Sequence, residues 1–425
     1  MKKTFLFLLV SIISTMAYSQ ISMEYCQDKA KENYPTFRNT GILEKTSKYS
    51  INNANKNYFP QLNLSAKASY QSDATTIDIV FPIPIDLELP KISRDQYQAV
   101  LELSQLIWDG GATQAKKKEI KAEFETKKAS LEVELYTLRD RVANIYFGIL
   151  SIKEQKNQAL LMESELGRNY NQISAFMESG LANESDLDLI RVEQLNLSQR
   201  ITEIEIMEKS YIRILSLMIG EDIKTDIEFQ EPNLITSNLK DEIRRPELAA
   251  FESQIKLLEL KNKMINAQSY PHVGFFAQGG YGKPALNMFN EEADFFAIIG
   301  LRMNWNIGSF YTMKDNKRII ETNKELINSN KGAFVLNTNL QKETQKSDIQ
   351  RLDKLVASDK EIIVLRERIK NSSQYKMENG TISTSDYIKD VNAFDMANQN
   401  MILHKTQLLM SIYKYNNIIN SENEK

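Results

Sequence analysis

Between Leu131 and Ile152 the apolar residues fall at Leu131, Leu135, Leu138, Val142, Ile145, Ile149 and Ile152, alternating steps of four and three. The same rhythm runs from Leu187 through Ile190, Leu197, Ile201, Ile204, Tyr211, Leu215 and Met218, with Gln194 and Glu208 as polar exceptions. It returns from Tyr387 through Val391, Phe394, Met401, Leu408, Ile412, Tyr415 and Ile419. A seam of this period stays on one side of a helix and predicts helices packed side by side as coiled coils.

Proline sets the limits of these helices. All nine prolines lie at or before Pro90 or between Pro232 and Pro284, and a proline inside a helix costs about 3 kcal/mol. The tracts 91–231 and 285–425 are therefore open to long rods. The pattern predicts one helix over Ala112–Glu178 and another from Tyr311 to Glu378, each roughly 100 Å long at 1.5 Å per residue. Returning helices of about 34 residues end near Gly220 and Asn420, and helices of roughly 25 to 30 residues precede Pro60 and Pro271. Each half then reads as one long rod antiparallel to two stacked shorter ones.

In four places the period changes to two. In "QLNLSAKASYQ", Leu62, Leu64, Ala66, Ala68 and Tyr70 alternate with polar residues. "HVGFFAQGGY" puts Val273, Phe275, Ala277 and Tyr281 on one side, less cleanly. "YQAVLEL" aligns Tyr97, Ala99, Leu101 and Leu103. "FFAIIGLRMNWNI" aligns Phe295, Ala297, Ile299, Leu301, Met303, Trp305 and Ile307 opposite Gly300, Arg302, Asn304 and Asn306. These are strands. About ten residues with one apolar face suits a tilted strand crossing an outer membrane, and aromatics at the strand ends suit its interfacial girdles. A small soluble sheet packed on helices would show the same alternation. If the strands lie in lipid, four cannot close a barrel and open edges are too costly there. Two, three or four copies would then supply eight, twelve or sixteen strands.

The chain is also duplicated. Pro35, Pro60 and Tyr70 recur as Pro246, Pro271 and Tyr281, each 211 positions on (246 − 35). Gly180, Ser185 and Asp186 recur as Gly380, Ser385 and Asp386, each 200 positions on (380 − 180). The organisation expected is an export signal over 1–19, a first repeat over 20–225, a linker over 226–245 and a second repeat over 246–425. The signal rests on Lys2 and Lys3, the short apolar run "FLFLLVSII" and small residues at Ala17 and Ser19. That run is too short to span a membrane. The formal charge of −3, or −5 once Lys2 and Lys3 are removed, gives no reason to expect nucleic acid as a partner. Cys26, the only cysteine, excludes a disulfide framework.

The order of export signal, "NYFPQL", strand pair, "LIWDGG", long helix, "ESGLANESDL" and return helix, followed by "RRPEL", "SYPHVGFF", "WNIGSF" and "ENGTISTSDY", resembles the TolC-like outer membrane factors over about residues 20 to 420. The resemblance implies a mixed fold, a membrane β-barrel joined to a long α-helical coiled-coil barrel. Four strands per protomer would close as a trimer into a twelve-stranded barrel above a periplasmic helical tunnel. It implies a passive exit duct in the outer membrane of a Gram-negative bacterium, working with a periplasmic adaptor and an inner-membrane transporter. Its setting would be a tripartite efflux pump or, alternatively, a type I secretion system.

On this resemblance the tips that meet the adaptor are Gly180, Leu181 and Ala182 in one hairpin and Gly380, Thr381 and Ile382 in the other. The Ser-Asp pairs at 185–186 and 385–386 are suited to cap the returning helices, and Asp109 or Ser309 to cap the long ones. Glu178, Glu184, Asp186, Glu378 and Asp386, with Met377 beside them, are candidates for an anionic ring or gate at a narrow mouth. Acids at helix starts serve equally as caps and dipole partners. Some family members carry a tyrosine and an arginine around the second glycine, where this chain has Met377 and Ile382. No cofactor is implied. His272 and His404 belong to no metal-binding spacing, and no nucleophile elbow or phosphate loop occurs. An enzyme is not expected. An exported coiled-coil scaffold would share the rods but has no use for a lipid-facing sheet.

Overall fold

The computed structural model describes residues 20–73, 93–233, 243–288, 290 and 292–419. The expected export signal, most of the proline-rich segment after the first strand and the middle of the linker lie outside these residues. In chain order the elements are α1 (Met23–Asn33), α2 (Asn39–Asn55), β1 (Gln61–Tyr70), β2 (Asp95–Trp108), α3 (Ala112–Glu178) and α4 (Glu184–Ile219). The second half repeats them as α5 (Pro246–Gln268), β3 (His272–Lys283), β4 (Asp294–Asn304), α6 (Ser309–Glu378) and α7 (Thr384–Ile419). Two compact units result, and each draws segments from both halves of the duplication. One, over Gly41–Ala129 and Ala250–Asn330, holds the sheet; the other, over Met1–Thr40, Ser130–Ala249 and Lys331–Lys425, holds the helix hairpins.

The helix expected before Pro60 is broken, which corrects the sequence reading. Tyr34 is extended (φ −65°, ψ 125°) because it precedes Pro35, and a 3₁₀ turn over Pro35–Arg38 separates α1 from α2. The strand containing Trp305 and Ile307 also stops early, at Asn304. Trp305 instead donates its ring N–H to the Ser269 carbonyl at 3.0 Å.

Seven-residue regularity organises the helical unit as expected. Leu131, Leu135, Leu138, Val142, Ile149 and Ile152 are all buried, and so are Ile190, Leu197, Ile204 and Leu215 on α4. One core gathers around Val142, Tyr146, Phe147, Ile149, Leu215 and Tyr413. Tyr146 fixes the segment before α1 there, its hydroxyl lying 2.6 Å from the Ile21 carbonyl and 2.7 Å from that of Gln230. The polar exception Glu208 is buried and tied to Lys156 at 2.9 Å. Burial also pushes the Cys26 thiol up to about 12, so it is an inert core residue. Among the described residues no helix is long and apolar enough to cross a membrane.

In the sheet-bearing unit the turn into α3 is built around Asp109. Its carboxylate accepts from the backbone of Gly111 at 3.0 Å and of Thr113 at 2.6 Å, and from the Tyr58 hydroxyl at 2.9 Å. Ser309 does not cap α6 in this way; its hydroxyl donates to the Asn306 carbonyl. Gly110 has φ +66°, and a methyl group there would stand 2.4 Å from the Tyr270 Cβ. Gly110→Ala is therefore expected to cost about 1–2 kcal/mol from the left-handed backbone alone, with the clash added. Thermal melting of the detergent-solubilised protein checks this, with Gly279→Ala, which meets nothing within 4 Å, as the neutral reference.

Candidate functional site

The four strands pair antiparallel in the order β1-β2-β3-β4, leaving β1 and β4 as edges. Their register brings the sequence-predicted apolar residues onto one face. Leu62 pairs with Leu103, Leu64 with Leu101, and Ala66 with Ala99. Leu103 continues to Ala277 and Leu101 to Gly279. Phe275, Ala277 and Tyr281 then meet Leu301, Ile299 and Phe295. Nothing among the described residues covers this face: Leu64 is 73% exposed, Ile299 72%, Leu301 72% and Phe295 81%. A soluble sheet would bury such a face against its own helices. Aromatic residues mark one rim, where the tilted rings of Tyr281 and Phe295 pack with centroids 4.8 Å apart.

The opposite face is mixed rather than uniformly polar. Glu102 accepts from Gln278 at 2.7 Å and from Arg302 at 3.1 Å, and the Arg302 guanidinium lies 4.6 Å from the centre of the Phe276 ring. Phe276 is the cross-strand partner of Gly300, and Phe296 that of Gly280. A methyl group on either glycine would run into the paired ring, at 2.8 Å and 2.5 Å. The glycines thus supply flat seats for two aromatic side chains on this face.

The hairpin tips repeat one backbone design. At the end of α3, Gly180 (φ +74°) sends its N–H to the Met177 carbonyl at 3.0 Å, and Leu181 sends its own to Phe176 at 2.8 Å. At the end of α6, Gly380 (φ +69°) and Thr381 do the same toward Met377 and Lys376, both at 2.9 Å. These are Schellman closures, and the left-handed residue in each is glycine because a Cβ there is strained. The caps differ from the sequence expectation. Asn183, not Ser185, caps α4, its side chain accepting from the Asp186 N–H at 3.0 Å while the Asp186 carboxylate accepts from the Asn183 N–H at 3.1 Å. Ser383 takes the same place before α7, accepting from the Asp386 N–H at 3.1 Å. Each aspartate occupies the capping-box position three residues after its cap.

The sequence-predicted site residues divide accordingly. Leu181 stands out at 77% exposure, with Gly180, Glu178 and Glu184 also exposed and Ala182 half-buried. Gly380 and Thr381 are exposed, whereas Ile382 packs against the tip core. Met377 lies inside that core at 6% exposure. Glu378 is half-buried and accepts from Gln172 at 2.8 Å and Gln374 at 3.1 Å. Asp386 lies 2.9 Å from Lys389. Hydrogen bonds from Lys389 and Ser383, with the lysine's charge, hold its carboxyl below the usual range. That contribution is complete above the unfolded carboxylate's pKa and is lost as pH falls through the lowered folded one.

Sequence reasoning missed the contacts that bind the two hairpins together. Tyr387, fully buried, donates to Asn169 at 3.2 Å. Lys370 pairs with Glu165 at 2.8 Å and lies 4.5 Å from the Phe394 ring centre. Arg200 pairs with Asp395 at 2.8 Å.

A family model described as outer membrane efflux protein matches residues 27–206, from α1 through the first tip and into α4. The match takes in 180 of the 425 residues (206 − 26), and this part of the chain is similar to outer membrane efflux proteins. Solved structures with a similar fold extend the likeness over both halves. The outer membrane protein VceC from Vibrio cholerae is 11% identical with a TM-score of 0.68, covering 93% of this chain and 95% of its own. CusC is 12% identical with a TM-score of 0.71, covering 93% and 91%. The open-state MtrE channel of Neisseria gonorrhoeae is 13% identical with a TM-score of 0.66, covering 93% and 88%. No curated protein sequence matched this one.

Proposed function

We propose that this chain is one subunit of a passive outer membrane exit duct, and that three copies complete it. Four strands with open edges at β1 and β4 do not make a barrel, and three copies bring twelve, within the range of membrane barrels. The exposed apolar face, from Leu62 to Met303, is the observation that carries this reading. It lies against lipid in the outer membrane, while Glu102, Arg302 and their neighbours face the lumen. The hairpins extend the duct into the periplasm. A scaffold needs no such face.

At the tips, Gly180, Leu181, Ala182, Gly380, Thr381 and Ile382 meet a periplasmic adaptor, which joins the duct to an inner-membrane transporter in a tripartite efflux pump. The acids Glu178 and Glu184 contribute the exposed part of an anionic mouth, and the half-buried Asp186, which accepts from the Asn183 N–H, adds to it. Glu378 and Asp386, already held by Gln172 and Lys389, contribute less. Transport energy comes from the transporter, since the duct carries out no chemistry.

Purified protein inserted into planar bilayers is expected to give discrete conductance steps and, by native mass, three chains per particle. Recovery as a soluble monomer without detergent, or bilayers that stay silent with intact trimers, would overturn the proposal.

A further inference from the structure

Each hairpin pair leaves one edge uncovered on either side. On α4 the buried side is Ile190, Leu197 and Ile204, and the residues half a turn away are Glu184, Asp188, Val192 and Leu195. Val192 is 53% exposed and Leu195 52%, and neither acid has an ion pair among the described residues. On α6 the buried side near the tip is Lys370, Ser373 and Met377. Opposite it lies a groove of about 520 Å³ walled by Arg368, Ser372, Tyr375, Lys376 and Asn379. Arg368 and Lys376 likewise have no ion pair among the described residues, the groove has no acidic wall, and Tyr375 is 69% exposed. One edge is apolar and anionic, the other aromatic and cationic.

The levels match as well. Lys370, eight residues from the end of α6, meets Glu165, thirteen from the end of α3. Asp395, eleven residues past the start of α7, meets Arg200, sixteen past the start of α4. Asn169 with Tyr387 and Gln172 with Glu378 give an offset of six. The first tip thus reaches five or six residues, about 8 Å, beyond the second. Cyclic symmetry keeps all copies at one level along the axis. Shifted by that offset, Val192 comes level with Tyr375 and Leu195 with Ser372. Asp188 falls about 5 Å from the level of Lys376, within the reach of a lysine side chain.

We propose that the α4 edge of one copy seats in the α6 groove of the next, with Val192 and Leu195 on Tyr375 and Asp188 paired with Lys376. The interface is heterologous, as a closed ring requires. It rests on the assembly put forward above and names the surfaces that build it.

Val192→Cys with Tyr375→Cys tests the contact in the full-length protein, because Cys26 is fully buried and stays unreactive. Mild oxidation of the trimer is expected to give covalent dimers and trimers on denaturing gels, and either single cysteine none. Lys376→Glu is expected to shift the trimer's dissociation in SDS to lower temperature, and adding Asp188→Lys to restore it. A wild type that never forms trimers would sink the assembly itself. Intact trimers whose paired cysteines remain uncrosslinked and alkylate freely would sink only this interface and leave the groove to another partner. Trimers of Lys376→Glu that dissociate at the wild-type temperature would likewise remove the interface and spare the assembly.

Discussion

Ile299→Lys is expected to abolish recovery of assembled protein from outer membranes while Ser65→Lys leaves it intact. Both residues are exposed in the single chain, so a soluble protein would tolerate either change. They differ in face. Ile299 pairs with Ala277 on the apolar side, and Ser65 pairs with Val100 on the opposite side, next to Lys67. A lysine near the middle of a lipid-facing strand costs about 2–4 kcal/mol, and a lumenal one little. Three copies carry the cost three times, which is comparable with the whole stability of an ordinary domain. Membrane fractionation followed by semi-native electrophoresis reads the result. Equal trimer yields from the two variants would remove the lipid assignment and with it the duct.

The rods and strands were legible because each rests on a short-range period repeated along its whole length. α3 ends at Glu178 in the structure as the spacing predicts. Where side chains vanish the period does too. β3 carries Gly274, Gly279, Gly280 and Gly282, so its alternation is faint, and only cross-strand pairing explains why Gly280 and Gly300 face Phe296 and Phe276. Two misses had a readable cause. Pro35 forces Tyr34 out of helical geometry, and the spacing Asn183-x-x-Asp186 and Ser383-x-x-Asp386 is itself a capping pattern. The repeated Ser-Asp pair begins two residues past the true cap. The contacts between hairpins left no trace at all, because Glu165 and Lys370, or Arg200 and Asp395, stand about 200 positions apart and look like ordinary surface charges.

Those contacts carry the second large effect. Asp395 is 6% exposed and accepts from Arg200 on α4 at 2.8 Å, from Gln158 on α3 at 3.5 Å and from Gln399 on its own helix. One carboxylate therefore ties three helices from both hairpins. Asp395→Ala strands a guanidinium whose second terminal nitrogen already lies buried without a partner. Breaking a buried pair costs about 3–5 kcal/mol. Arg200 keeps 30% of its side chain in solvent, which brings the expectation to about 2–3 kcal/mol. Asp395→Asn keeps an acceptor and loses less. Replacing both partners, Arg200→Met with Asp395→Leu, recovers most of the loss, since an apolar pair of similar volume leaves nothing unpaired. Helical melting followed in detergent ranks the four proteins as wild type, the double variant, Asp395→Asn, then Asp395→Ala. If Asp395→Ala melts with the wild type, the apolar seam and the other cross-hairpin contacts, Lys370 with Glu165 and Tyr387 with Asn169, hold the hairpins without it. A cooperative loss of both tips at lower temperature makes this carboxylate one of the points that keep the two tips side by side.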